Sequence, residues 1–161
     1  MSLDQRVVLA PADGSLGPLL RVSEDHLAPG ADYGEHEHRA VDVVAVVLSG
    51  SVDHVWGAGA TLRAGDVAVL RSGSGLRHDE RAGMSGAHLL QCYLRAARPG
   101  DPPRHEVHRG PEGWIDLGRP DARLWIGPGG GEVPGGVVVS VPGTSAVLVW
   151  DLDASRPDWA T

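Results

Sequence analysis

Two short motifs carry the side chains of this sequence that could do chemistry together. His36 and His38 flank one glutamate, and His78 and Glu80 flank one aspartate. Residues i and i+2 of a β-strand project from the same face, so each pair would present both members on one side. Two neighbouring strands could then direct three imidazoles and one carboxylate to a single point.

That set of donors is typical of a metal site. Three neutral nitrogens and one oxygen suit a borderline divalent ion such as iron, manganese, cobalt, nickel, copper or zinc better than calcium or magnesium. Four ligands on one side leave one or two positions for water and substrate, as a catalytic centre requires. A single His-x-His is more often a polar surface turn, and the order of the two motifs along the chain is what favours the metal interpretation.

The elements that must position these motifs are short strands. Glycine is frequent, with 23 residues among 161, and Val- and Leu-rich runs of four to nine residues alternate with turn signals. No window shows a helical apolar stripe, so the sequence predicts an all-β sandwich or barrel. The expected strands are 43–49, 51–56, 60–63, 66–70, 75–80 and 87–95, followed by 113–118, 121–127, 136–141 and 145–152.

The run 41–48 is apolar on both faces of its predicted strand. Alternation would leave one polar face if that side met water, so both sides must be covered. Three arrangements would cover both faces. A second sheet and a partner subunit could each cover one face, a second lobe could cover the exposed face, or the strand could be central in a closed sandwich.

A composition shift divides the chain. Residues 1–98 are expected to form the metal-binding domain, and 99–112, rich in proline and arginine, a linker. Residues 113–161 are expected to form a short β-rich segment, which is a truncated second lobe or supplies strands to the barrel or a dimer. The glycine-rich stretch 127–136 lacks the register and the lysine of a phosphate-binding loop.

Composition excludes several function classes. The net charge is −7 and all 14 basic residues are arginines without a basic cluster, which argues against nucleic-acid binding. No apolar run approaches the length of a membrane span, and no secretory signal is visible at the N-terminus. A single cysteine, Cys92, permits no intrachain disulfide and is expected in the core, and a cytoplasmic location fits best.

The order of these motifs resembles the pirin family of cupins. The resemblance lies in GEHEHRAVDVVAVVLSG (34–50), LRAGDVAVLRSGSGLRHDE (62–80) and AHLLQCYL (87–94). It implies a cupin-type β-barrel, also described as a double-stranded β-helix or jelly roll, here with extra C-terminal strands. Members of that family usually have two lobes on a longer chain, and a complete second barrel does not fit into the residues that follow the linker.

The resemblance also implies a ligand set and a metal. Carried over residue by residue, the ligands are His36, His38, His78 and Glu80, and the usual metal is iron, with nickel, manganese, copper, cobalt and zinc left open. Relatives carry a glutamate where this chain has Asp42, to which we assign at most a supporting or surface role.

Two functions follow from the family. The first is a dioxygenase of the quercetin 2,3-dioxygenase type, acting with O2 on a flavonol-like or other small enolic or phenolic compound. Glu80 would then be a metal ligand that also accepts the substrate's hydroxyl proton. The alternative is a non-catalytic metal-binding regulator that acts through protein partners, with the strand 41–48 at the interface; a cupin isomerase is a weaker option, and a homodimer is possible.

Other side chains are candidates for the surroundings of this site. The candidates for its apolar walls are Leu48, Leu70, Leu76, Leu90 and Trp56. His54, which shares a strand face with Trp56, is interpreted as a packing or surface residue. His88 is considered for the pocket, with a buried, hydrogen-bonded histidine as the commoner interpretation, and a metal site at His105 and His108 is disfavoured by the preceding prolines.

Overall fold

The computed structural model describes residues 2–11 and 15–154. Within those ranges the chain forms β-strands and no α-helix, so the predicted all-β class is confirmed. Frequent glycines and β-branched residues account for this, because they favour turns and pleated strands over helices. In the described part of the chain no helix is long and apolar enough to span a membrane.

Eight strands form the main sheet, and all their pairings are antiparallel. They are β1 (Leu3–Leu9), β2 (Leu19–Leu27), β3 (His36–His38), β4 (Val41–Val55), β5 (Ala60–Arg63), β6 (Val67–Arg71), β7 (Leu76–Arg95) and β8 (Arg104–His108). Their order is β1-β2-β7-β4-β6-β8, with β3 paired to β7 and β5 paired to β4.

Two of these strands are long and bent. The predicted strands 43–49 and 51–56 are continuous in β4, and the predicted strands 75–80 and 87–95 are continuous in β7. The expected break at Gly50 is instead an irregularity in the pairing of β4 with β7, on each side of that residue. Gly50 and Gly86 both have φ of +73°, which lets the two strands bend together without ending the ladder.

Four more strands form a second sheet. They are β9 (Gly113–Ile115), β10 (Ala122–Pro128), β11 (Val137–Ser140) and β12 (Ala146–Leu152), in the order β11-β12-β10-β9. This sheet packs on the main sheet through one shared hydrophobic core. Its largest fully buried side chains are Leu19, Leu90, Leu94, Leu124, Leu148 and Trp150.

Both faces of β4 are buried by this chain alone. Val44 and Val46 pack in the core shared with the second sheet, on what we call the outer face of the main sheet. Ala45 and Val47 pack in a separate core on the opposite, inner face. The apolar run 41–48 therefore belongs to a central strand enclosed between two layers, which is one of the predicted arrangements.

The segment predicted as a linker contains a strand. β8 pairs along its whole length with β6, so part of 99–112 belongs to the main sheet. The β-branched Val107 favours a strand here, whereas the preceding prolines were the stronger turn signal in the sequence. The division of the chain at residues 98 and 112 stays a prediction.

Candidate metal centre

The three histidines of the two motifs meet on the inner face. His36 lies directly opposite His78 in the pairing of β3 with β7, and His38 lies two residues from His36 on the same face. Nε2 of His36 is 3.0 Å from Nε2 of His38, and the His78 ring is 4.5 Å from the His36 ring and 4.9 Å from the His38 ring, between centroids. The donor nitrogens of all three lie within 4.8 Å of one another.

Glu80 lies beside this histidine cluster. It follows His78 by two residues on β7, and its Oε1 is 3.6 Å from Nε2 of His78. Its Oε2 accepts a hydrogen bond of 2.7 Å from Nε2 of Gln91. By distance, Glu80 forms a second group of possible ligands with His78 and His54, in which His78 is shared with the first group.

Burial keeps the imidazoles of His38 and His78 neutral. Burial lowers the pKa of His78 to about 3, and the adjacent His36 and His38 add to that effect. Burial and then His36 lower the pKa of His38 to about 4. Neutral imidazole is the form that binds metal ions, so these histidines are ready to act as ligands at neutral pH.

Burial has the opposite effect on the carboxyl group. It raises the pKa of Glu80 to about 7, and the hydrogen bond from Gln91 opposes the shift. A buried carboxylate without a cation is costly, so a positive ion at this position would stabilise its charged form.

Hydrogen bonds within the site leave ring nitrogens available for an ion. Nδ1 of His36 is 2.7 Å from the carbonyl oxygen of Gly34, which can only accept, so Nδ1 carries the proton. Nε2 of His36 is then the acceptor in its 3.0 Å contact with Nε2 of His38, and its lone pair is the one that an ion would take. Both ring nitrogens of His78 are buried and have no hydrogen-bond partner. Buried polar atoms are normally satisfied, and a bound ion is one way in which these would be.

His54 lies next to Glu80, although its sequence context indicates a packing or surface residue. It lies opposite Glu80 in the pairing of β4 with β7, and its buried Nε2 is 3.8 Å from Oε2 of Glu80. Burial lowers its pKa to about 3, and its ring stacks on His105 at 5.0 Å. Alternation with Trp56 assigned His54 to a strand face, but only the pairing of β4 with β7 shows that this face carries the site.

A polar floor lies under the cluster on the same inner face. Tyr33 donates a hydrogen bond of 2.6 Å from its hydroxyl to Oδ2 of Asp25, a fully buried residue of β2. Three buried atoms nearby have no partner, namely Oγ of Ser23, Oδ1 of Asp25 and Oε1 of Gln91. Ser23 and Asp25 come from β2, whose sequence contains no recognisable motif, whereas Gln91 comes from β7, the strand that carries His78 and Glu80.

The apolar surroundings of the cluster agree only partly with expectation. Leu70 and Leu76 pack with Val43, Trp56 and Tyr93, and the Tyr93 ring lies 6.3 Å from the His38 ring. Leu48 and Leu90 do not line the site, because they pack in the core shared with the second sheet. A shift of one residue along a strand reverses the face, so these two leucines point the other way.

Three further residues also lie away from the cluster. Asp42 is buried on the outer face and pairs with Arg119, whose Nη1 is 3.0 Å from its Oδ2. His88 lies on the outer face, opposite His26 in the pairing of β2 with β7. Cys92 is fully buried in the core, as predicted.

Solved structures define the class of the fold. The structure of the bacterial pirin YhhW from Escherichia coli in complex with nickel(II) has a TM-score of 0.68, over 94% of this chain and 83% of that chain, at 21% identity. A quercetin 2,3-dioxygenase from Acinetobacter baumannii has a TM-score of 0.57, over 78% and 55% of the two chains, at 18% identity. The fold is therefore a cupin-type jelly roll, as predicted, to which the second sheet adds C-terminal strands.

The particular family follows from the sequence comparison. The family model described as Pirin matches residues 11–94, which is more than half of the chain and includes both motifs. This chain belongs to the pirin family.

Named relatives also match part of the chain. A quercetin 2,3-dioxygenase of Escherichia coli K12 is 29% identical over 92 residues, which are 55% of this chain and 40% of that protein. A putative quercetin 2,3-dioxygenase of Pseudomonas aeruginosa is 33% identical over 89 residues, which are 53% of this chain and 38% of that protein. The matched part of this chain thus spans less than half the length of these relatives.

Proposed function

We propose that His36, His38, His78 and Glu80 bind one divalent transition metal and form the centre of a dioxygenase of the quercetin 2,3-dioxygenase type. The observation that carries the proposal is the meeting of three imidazoles beside a buried carboxylate. The names of the relatives and the nickel(II) complex of YhhW support it. Iron is the metal implied by the family resemblance, and nickel, manganese, copper, cobalt or zinc would suit the same donors.

The chemistry that a metal of this class supplies when bound is a Lewis-acidic centre, redox-active for each of the named metals except zinc, that acidifies a coordinated hydroxyl group. The substrate we propose is a flavonol-like or other small enolic or phenolic compound, with O2 as the second substrate. Glu80 holds the hydroxyl proton at Oε1, the oxygen that faces His78. Gln91 occupies Oε2 and so orients the carboxyl group.

The apolar side chains beside His38 exclude water from the site. Val43, Leu70 and Leu76 form a buried cluster there, and Trp56 and Tyr93 pack against it. Excluding water strengthens the electrostatic interactions inside and suits a flat aromatic substrate.

The regulatory alternative loses one of its supports. It relied on the strand 41–48 as an apolar interface for a protein partner, and the second sheet of the same chain covers that face. A metal-binding regulator would therefore need another surface.

The test begins with metal analysis. Anaerobically purified, untagged protein should contain one transition-metal ion per chain at this site, and His36→Ala/His78→Ala should lose it. His108→Ala is the matched control, because His108 lies outside both groups of possible ligands around His78. If the double variant binds as much metal as the wild-type chain, the ligand assignment is refuted.

Activity is measured next, with quercetin under air. Protein loaded with iron, or with another of the six metals, should consume the flavonol, which is followed as a decrease in its absorbance, and should release carbon monoxide. Glu80→Gln should lower the turnover by about 10²–10⁴-fold, the usual range for loss of a positioned proton acceptor. Absence of turnover with every metal would refute the dioxygenase proposal and leave the regulatory alternative.

A further inference from the structure

A second cluster of possible metal ligands lies on the outer face, away from the first. His26 of β2 and His88 of β7 are directly opposite one another, and their rings stack at 3.9 Å with an interplanar angle of 14°. Oε2 of Glu24, two residues before His26, is 2.8 Å from Nε2 of His88. The donor atoms of these three residues lie within 4.8 Å of one another.

We propose that Glu24, His26 and His88 form a second metal site, which takes one borderline divalent cation of the zinc, nickel or copper(II) class. This proposal is independent of the proposed function, because it shares no residue with the first cluster. Two imidazoles and one carboxylate are the donors that such ions select, and three protein ligands leave positions for water or a small anion.

The backbone explains why these side chains meet. Residues that are directly opposite in an antiparallel pair have Cβ atoms about 5 Å apart, which is close enough for two imidazoles to reach one ion. Glu24 joins them because it lies two residues along β2 on the same face. The regular register between Val22 and Leu27 of β2 and their partners on β7 holds this spacing.

Without an ion, the cluster is held by other contacts. Arg6 of β1 forms an ion pair with Oε1 of Glu24, and His88 forms its contact with Oε2. The Arg6 side chain is 64% exposed, and ion pairs to such exposed groups contribute little to stability, so a divalent cation can displace it. Arg6 thus supplies the positive charge that the ion would bring.

One ring must turn for the site to close. An imidazole binds a metal in its own ring plane, so two parallel stacked rings cannot both face the same ion. His26 is exposed, whereas His88 is half-buried. A rotation of the His26 side chain therefore completes the site with little cost to packing.

The experiment is a titration of untagged, metal-free protein with Zn²⁺, followed by equilibrium dialysis and elemental analysis. The wild-type chain should bind two ions. The variant His26→Ala/His88→Ala should bind one, and that remaining ion should depend on His36 and His78. His108→Ala, as the control, should keep both ions.

A further variant separates metal binding from a purely structural role. Arg6→Gln removes the competing cation and should lower the dissociation constant of the ion at the second site by roughly 2- to 5-fold. If the ion pair of Arg6 with Glu24 were purely structural, the affinity for the ion would not increase. Far-UV circular dichroism checks that each variant is folded. If the wild-type chain and His26→Ala/His88→Ala bind the same number of ions, the proposal is overturned. If the only ion bound were the one lost in that variant, the second site would stand and the first would fail.

Discussion

The two oxygens of Glu80 differ in their surroundings. Oε2 is held by Gln91, and Oε1 faces the His78 ring. Both Glu80 and Gln91 are almost fully buried, so the carboxyl group has no access to bulk water as an alternative partner. Gln91 is therefore a positioning residue in the proposed site.

Replacing Gln91 by leucine should destabilise the protein. The change leaves a buried carboxyl oxygen without its donor, which costs about 1–3 kcal/mol of unfolding free energy. The measurement is urea unfolding of metal-free protein. Thr61→Ala is the control, since it removes an exposed hydrogen bond to Asp53 and should change stability by less than about 0.5 kcal/mol. Equal losses of unfolding free energy in the two variants would show that the buried hydrogen bond contributes no more to stability than the exposed one.

At the scale of elements, the site depends on the bend shared by β4 and β7. β7 carries His78 and Glu80 near its start and Gln91 near its end, and the bend brings these parts together on one face. Gly50 and Gly86 allow the two strands to approach closely there. A β-carbon on Gly50 would collide with the carbonyl oxygen of Gly86.

This close approach predicts a difference between two glycine substitutions. Gly57→Ala meets open space, so it should cost only the left-handed backbone conformation, about 1–2 kcal/mol. Gly50→Ala should cost about 1–3 kcal/mol more, because the neighbouring backbone must also shift. Denaturant unfolding of both variants measures the difference, and metal affinity should fall only in Gly50→Ala. Similar stability of the two variants would contradict the close packing of the bend.

At the scale of the whole molecule, the second sheet is joined to the main sheet by a core and by a buried ion pair. Arg119, between β9 and β10, contacts Asp42 of β4 and also Asp121. The Arg119 and Asp42 side chains are 2% and 7% exposed. Burial raises the pKa of Asp42, and the Arg119 charge opposes that shift.

Arg119→Met should destabilise the protein by about 3–5 kcal/mol at neutral pH, because it leaves the Asp42 carboxylate buried without its partner. Without Arg119 the pKa of Asp42 rises further above its unfolded value, so the folded variant takes up a proton as the pH falls. The loss should therefore be smaller at about pH 5 than at about pH 7.5. Urea unfolding at both pH values measures it.

The double variant Asp42→Asn/Arg119→Met is the matched control for this pair. With neither charge buried, it should recover much of the stability lost in Arg119→Met. A double variant as unstable as the single one would show that Arg119 acts through packing alone.

The strands and the two motifs were readable from the sequence. Apolar runs and glycine turns located most strands between 43 and 152, and period-2 spacing put both members of each motif on one face. The motif order also identified the family. These features are local, since alternation and turn chemistry depend on neighbouring residues only.

Only the tertiary structure decided what each strand face packs against. His54, interpreted from the sequence as a packing or surface residue, lies with His78 and Glu80. His88, considered for the pocket, lies with Glu24 and His26 on the other face. The structure likewise shows that the C-terminal strands of the same chain cover the outer face of β4. The physical reason is that a sequence pattern assigns a side chain to one of two faces, whereas the register between strands distant in the chain decides which residues meet there.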